Sequence, residues 1–244
     1  MSFLYHEILF RPLFNLLISL YNVIPGADFG VAIIVLTIIV RIVFFPLSIK
    51  ALVSQRELNK LQPKIKELQE KHKGDKQALG QATMQLYKEH KINPLSGCLP
   101  LLIQLPVLIA LYSALNSGLK PESLNGLYAF VGRPESINQV ALGFIDLAKK
   151  SPLMAILAGG LQWFQMKLST SSQTSTSGSD ASSPLSSMNK QMLYFFPVMV
   201  IIIAWNLPTG LTLYWVAATV FSIFEQLYIN RKYKKTEPQI KVIA

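Results

Sequence analysis

Five apolar stretches in this chain have about the length needed to cross a lipid bilayer, and nothing else in the sequence constrains the fold as strongly. A spanning helix needs about 20 predominantly apolar residues, with a range of about 17–25. The stretches are 29–47, 95–115, 152–168, 191–207 and 211–229. The first is interrupted by Thr37 and Arg41 before Pro46. The second carries Pro100, Gln104 and Pro106, and the third carries Gly159, Gly160, Gln162 and Gln165. The fourth ends at Asn206-Leu207-Pro208, and the fifth has Glu225 and Gln226 near its end. Composition agrees: 51% of the residues are hydrophobic and 15% charged, against about 25% charged in soluble domains. The expected fold class is an all-α integral membrane protein with a core of five transmembrane helices.

The segment before the first span is amphipathic. Glu7, Arg11, Asn15, Ser19 and Asn22 recur at helical spacing and form one polar stripe, with Leu, Ile and Phe around it. An interfacial helix within residues 1–28 is expected, the alternative being a sixth span over 3–24. A cleaved signal peptide is disfavoured, because no Lys or Arg precedes the apolar run and no small-residue cleavage site follows it.

Charge sets the orientation. Residues 48–94 hold ten Lys/Arg against five Asp/Glu, the tail after Asn230 adds five basic residues, and Lys167 and Lys190 flank the next loop. The N-terminal 28 residues and loop 116–151 together hold five basic and five acidic residues. The positive-inside rule therefore places 48–94, 169–190 and 230–244 in the cytoplasm, 116–151 outside, and the N-terminus outside.

Between the first two spans the pattern is that of a helical hairpin. Leu58, Leu61, Ile65 and Leu68 form one seam and Leu79, Ala82 and Leu86 another, with a turn at Lys73-Gly74-Asp75 and a kink expected at Pro63. Its basic surface suits anionic lipid headgroups, ribosomal RNA or a protein, or is simply solvated. Residues 169–187 are a Ser/Thr-rich low-complexity loop to which no chemistry is assigned.

No nucleophile motif, phosphate loop or paired carboxylate is present. A single cysteine, Cys98, and the scattered His6, His72 and His90 give no metal spacing. No catalytic residue, cofactor or metal is expected, and no specific nucleic-acid sequence as a partner.

Arg41 is the informative side chain. Helix rise puts it about 18 Å from the outer end of its span and about 9 Å from the inner end. An arginine at the bilayer centre costs about 2.5–3.5 kcal/mol even on the lenient insertion scale. A partner acid, a water-filled cavity or snorkelling would offset that cost. No other span has a central acid, and Glu225, the one carboxylate within a span, lies near the cytoplasmic end of the fifth. The expectation is therefore an unpaired positive charge in a hydrated cavity open to the cytoplasm, with snorkelling to the cytoplasmic surface as the alternative. Thr37, one turn earlier, shares its face. Gln104, Gln162, Gln165, Tyr214 and Trp215 are the other candidate groove residues. Each alone also fits a helix–helix hydrogen bond or an interfacial aromatic. Other function classes are a small channel or transporter with Arg41 as an anion site, a membrane-bound enzyme, and a polybasic scaffold.

Several blocks resemble the YidC/Oxa/Alb insertase family: Thr37-Ile38-Ile39-Val40-Arg41, Phe45-Pro46-Leu47, Leu61-Gln62-Pro63-Lys64-Ile65-Lys66, the run from Asn93-Pro94 to Ile103-Gln104, and Leu207-Pro208-Thr209-Gly210 through Tyr214-Trp215. They stand in family order, and Ser96 departs from a frequent Gly. The resemblance implies a membrane protein insertase and chaperone of the bacterial cytoplasmic (inner) membrane. It implies a five-helix core around a hydrophilic groove, open to cytoplasm and lipid and closed to the outside. Arg41 would be the groove arginine with Thr37 beside it, Tyr214 and Trp215 would face the substrate, and the hairpin would receive incoming chains. Nascent membrane proteins are the implied substrates, and the ribosome, the signal recognition particle pathway, the Sec translocon and anionic lipids are candidate partners. The expected form is a short one without the large periplasmic domain, and its brief basic tail argues against tight ribosome binding.

Overall fold

The computed structural model describes residues 6–90, 93, 107–110, 112–113, 126–171 and 184–234. Most of the second apolar stretch, including Gln104, most of the Ser/Thr-rich loop and the end of the tail lie outside them. A π-helical turn, His6–Phe10, leads into α1 (Arg11–Val23). Then come α2 (Phe29–Lys60), α3 (Gln62–Lys71) and α4 (Lys76–Glu89). A two-stranded antiparallel hairpin follows, β1 (Val140–Ala141) and β2 (Ile145–Asp146). The chain continues as α5 (Pro152–Ser171), α6 (Pro184–Asn206) and α7 (Thr209–Lys234). The fold is mostly helical, and the hairpin is its only sheet among the described residues.

Helix α2 does not stop at Pro46. It runs 32 residues, about 48 Å, against about 30 Å of hydrocarbon. Proline removes one backbone donor, which the helix tolerates here as membrane helices do. Residues 48–60 therefore continue the first apolar helix instead of beginning a separate arm. The break falls at Leu61, and Pro63 sits in the first turn of α3 rather than kinking a continuous arm, where its missing N–H costs nothing. Leu61 and Ile65 are buried. The α3–α4 turn uses Gly74 at φ +95. It is closed by Asp75, whose carboxylate accepts from the Gln77 and Ala78 amides at 3.0 and 2.9 Å. Lys64 Nζ and His90 Nε2 meet at 3.1 Å across the two helices.

At the opposite end the β-hairpin gathers three helix starts. The Asp28 carboxylate caps α2, accepting from the Gly30 and Val31 amides at 2.8 and 3.0 Å. Its other oxygen accepts from Leu142 N–H between the strands. Thr209 donates its amide to Lys149 O at 2.8 Å, and Gly210 donates to Leu147 O at 2.9 Å. These bonds tie the start of α7 to the segment leading into α5. A β-carbon at Gly30 would collide with that of Ala141. Helices α2, α5 and α7 thus start at one end and run the same way, and α6 returns against them. Lys149 bonds the Asp146 carboxyl and holds it below its ordinary pKa.

The polar stripe of α1 is used by protein rather than by water. Asn15 accepts from the Tyr128 amide at 2.6 Å and is itself buried. Asn22 donates to Gly132 O, Tyr21 Oη accepts from the Asn138 amide, and Arg11 stacks on the Tyr128 ring at 4.8 Å. Beside this stripe, Phe14, Leu17 and Ile18 are buried in the core with Phe29, Ile33 and Leu36 of α2.

Large apolar side chains remain outside this core on every long helix. Ile42 and Val43 on α2, Leu153 and Ile156 on α5, Phe195 and Ile202 on α6 and Phe224 and Tyr228 on α7 are all more than half exposed. So wide an apolar surface needs an apolar solvent. Helix α2 and the Thr209–Lys232 part of α7 are each long and apolar enough to cross a membrane, and Leu193–Asn206 is a shorter apolar helix.

Helices α5 and α6 pack through Gly159, where a β-carbon would strike the Ile201 side chain and press on Pro197 O, whereas one at Gly160 would meet nothing within 4 Å. Gly159→Ala should therefore lower the thermal unfolding midpoint in detergent, by about 1–3 kcal/mol of overpacking. Gly160→Ala should leave it unchanged or raise it through helix propensity. Equal behaviour of the two variants would refute the close α5–α6 contact.

Candidate functional site: an interhelical ion pair and a polar relay

Arg41 has a partner. Arg41 Nη1 lies 3.7 Å from Glu225 Oε2, with the Arg41 side chain 17% exposed and that of Glu225 4%. This corrects the expectation of an unpaired charge. The reason is geometric. Arg41 is twelve residues into α2 and Glu225 sixteen into α7, about 18 and 24 Å from helix ends that share one side. The difference, about 6 Å, is within the reach of an arginine side chain directed toward the C-terminal end of its helix. Glu225 was visible in the sequence, but its distance from the centre of its own span concealed the match. The signal that reveals it is the shared starting level of α2 and α7, which the β-hairpin enforces.

The pair is incompletely satisfied. Glu225 Oε1 is buried and has no hydrogen-bond partner. A carboxylate offers about four acceptor positions, and leaving a buried one bare is costly. Thr37 contributes less polarity than expected. It is 2% exposed, and its hydroxyl donates to Ile33 O one turn back at 2.7 Å, a bond that satisfies it within its own helix.

A second polar group lies nearer the β-hairpin end, between α5 and α7. Trp215 Nε1 donates to Gln162 Oε1 at 3.4 Å, and Gln162 Nε2 donates to Gln165 Oε1 at 2.6 Å. Trp215 and Glu225 are ten residues apart on α7, about 15 Å along the axis. Adjacent residues on a helix point about 100° apart, and Tyr214 accordingly points the other way, into the buried core with Leu36 and Leu211. The structure therefore brings together Trp215, Gln162 and Gln165 in one relay and Arg41 with Glu225 in another. Tyr214 belongs to the core, and Gln104 lies outside the described residues. No cluster of three metal-binding side chains occurs among the described residues.

These features can be set against known proteins. Residues 19–237 match the family model described as 60Kd inner membrane protein. The chain belongs to the YidC/Oxa family. It is 35% identical over 205 residues to the membrane protein insertase YidC of Fusobacterium nucleatum, covering 84% of this chain and 87% of that one. It is 35% identical over 243 residues to YidC 2 of Listeria innocua, covering 98% and 76%. With YidC of Legionella pneumophila it shares 34% over 238 residues, 95% of this chain but only 37% of that one. A crystal structure described as an active YidC insertase with its first transmembrane domain resolved superposes with a TM-score of 0.59 at 26% identity, over 93% of this chain and 47% of that one. The chain thus spans most of the shorter relatives and less than half of the longer ones. YidC-family proteins are membrane proteins named for insertion rather than for bond-making chemistry, and this chain is not an enzyme in the catalytic sense.

Proposed function

We propose that this protein inserts integral membrane proteins into a bacterial inner membrane and assists their folding, using a hydrophilic groove entered from the cytoplasm and from lipid. The observation that carries the reading is the Arg41–Glu225 pair, charged groups held at membrane depth between α2 and α7 in a chain of a family whose relatives are named insertases. Intramembrane ionisable groups mark functional paths.

In this reading five helices cross the bilayer, with the N-terminus outside and the C-terminus inside. The end knotted by the β-hairpin is the outer, closed end, and α3–α4 stand in the cytoplasm, where the basic residues concentrate. The groove comprises Arg41, Thr37, Gln104, Gln162, Gln165 and Trp215, with Tyr214 supporting it from the core. A substrate's outer segment crosses about 30 Å of hydrocarbon. A wet groove shortens the dry part of that path, and Arg41 offers a counter-charge. Burial of the substrate's apolar helix in lipid supplies the driving force. Nascent membrane proteins are the substrates. The basic hairpin suits delivery by the ribosome, the signal recognition particle pathway or the Sec translocon, with anionic lipids beneath it.

The test is reconstitution. Purified protein in vesicles should insert a small single-span protein and protect its outer segment from added protease. Ion flux through the same vesicles without insertion would replace this reading with a channel in which Arg41 is the anion site. Orientation is checked by labelling single cysteines on a Cys98→Ser background. A Ser2→Cys label reached only from the cytoplasm would overturn the assigned topology.

A further inference from the structure

We infer that the tip of the β-hairpin, Leu142 and Phe144, dips into the membrane: it inserts among the acyl chains of the leaflet in which α2 and α7 begin and fixes the depth of that end of the bundle. The partner is the lipid surface itself. The inference uses only the level of the hairpin against the helices. It holds whichever side of the membrane that end faces, and whether or not the protein is an insertase.

Level comes first. Ala141 of β1 lies so close to Gly30, in the first turn of α2, that a β-carbon at Gly30 would collide with its own. Just after β2, the Leu147 and Lys149 carbonyls accept from the Gly210 and Thr209 amides at the start of α7, at 2.9 and 2.8 Å. Helix α2 and the Thr209–Lys232 part of α7 are long and apolar enough to cross a membrane. The hairpin is therefore pinned beside the first turns of two such helices, at the level where each enters the hydrocarbon.

Exposure and strain then give the occupant. The faces alternate along the strand: Ala141 is buried against α2, while Val140 and Leu142 are exposed. Leu142 is 53% and Phe144 77% exposed, and Leu153, also 77% exposed, stands in the first turn of α5 at the same end. The turn between the strands has positive φ at both central residues, +52° at Leu142 and +80° at Gly143. It closes with the Phe144 amide donating to Ala141 O at 3.2 Å. Such turns favour Asn-Gly, because a β-carbon crowds the backbone at positive φ. Leucine is thus a poor residue here both for the turn and for water. Burying Leu142 and Phe144 in lipid offsets both costs, and the level of the hairpin puts lipid within their reach. The charges beside the tip agree. Lys149 is 81% exposed, with its ammonium 3.0 Å from the Asp146 carboxylate, and Lys150 is exposed next to it, basic groups with apolar stems at headgroup level.

The experiment places the full protein in lipid vesicles with one fluorophore at Val140→Cys on a Cys98→Ser background, which leaves Leu142 and Phe144 in place. Lys73→Cys, in the α3–α4 turn, is the reference for a site in water. The label at 140 should be quenched by spin labels carried near the glycerol end of the acyl chains and shielded from iodide supplied on both faces of the membrane. The label at 73 should show the reverse. Leu142→Asn keeps the turn, which Asn-Gly prefers, and removes the apolar group. It should shift the hairpin's partition out of lipid by about tenfold, the low end of what burying one leucine supports. Lipid quenching at 140 then falls while iodide quenching rises. Phe144→Gln, outside the positive-φ pair, should act in the same direction and carries the test if the asparagine variant does not accumulate. A label at 140 as open to iodide as the one at 73 overturns the inference. So does a label shielded from iodide yet untouched by the lipid quenchers, which would put a second copy of this chain over the tip. Unchanged lipid quenching in both variants overturns it as well.

Discussion

Replacing Arg41 with alanine should cut insertion of a substrate with an acidic outer segment by tenfold or more and should destabilise the protein at the same time. The two effects have one origin. Removing the guanidinium leaves Glu225, 4% exposed, with neither oxygen compensated by a nearby cation, and breaking a buried pair from one side costs about 3–5 kcal/mol. Arg41 keeps partial exposure, which moves the loss toward the lower end of that range. In the groove the sign of the charge reverses: where an acidic segment met attraction, it now meets a bare carboxylate.

A double variant separates these effects. Arg41→Ala with Glu225→Gln removes both charges and should recover most of the lost stability, seen as a restored unfolding midpoint in detergent. Its insertion of a neutral substrate should return to wild-type levels, and its insertion of an acidic one should remain depressed. Arg41→Lys should retain much of the activity, because an ammonium supplies charge without bidentate geometry. If the double variant inserts the acidic substrate as fast as wild type, the electrostatic role of Arg41 is refuted, and the groove's water and the lipid-facing surface must account for insertion alone.

What the sequence revealed, and what it concealed, follows from the range of the forces involved. Apolar runs and helical spacing are local, and they placed α2, α5, α6 and α7 near their observed positions. The stripe on α1 was also legible, yet its partners were not: Asn15 and Asn22 bond loop residues more than a hundred positions away. Pro46 and Pro63 show how local signals mislead at boundaries. The same residue type is carried inside α2 at one site and begins α3 at the other, because neighbouring packing, rather than proline itself, decides where a helix ends. For the site, Arg41 was conspicuous through its cost, and Trp215, Gln162 and Gln165 through polarity in apolar surroundings. That Tyr214 turns into the core while Trp215 turns to Gln162 follows from helical geometry. The Arg41–Glu225 contact depends on the relative level of two helices far apart in sequence, and no local pattern encodes that.

Removing α3 and α4 should abolish delivery while sparing the membrane core. Helix α2 runs unbroken to Lys60, so the excision belongs after Leu61, not within the apolar helix. Lys64 Nζ and His90 Nε2 meet at 3.1 Å, so the two ends of the hairpin lie within the combined reach of a lysine and a histidine side chain, and the Gly/Ser linker replacing 62–90 is cut to span that reach without pulling on α2. Leu68 of α3 packs toward Ala82 and Leu86 of α4 across a shallow groove also lined by Lys64, Glu67, Lys71, Gln85 and Glu89. The two helices face each other across this groove, and none of their residues belongs to the main core cluster. The shortened protein should accumulate in the membrane with an unfolding midpoint close to that of the full chain. Its insertion of all substrates should fall about tenfold, irrespective of the charge of their outer segments, because the groove pair is intact and only capture is lost. That charge-independence sets this variant apart from Arg41→Ala. Loss of the protein from the membrane on excision would make α3 and α4 part of the fold, and insertion at the full rate would place capture elsewhere in the chain.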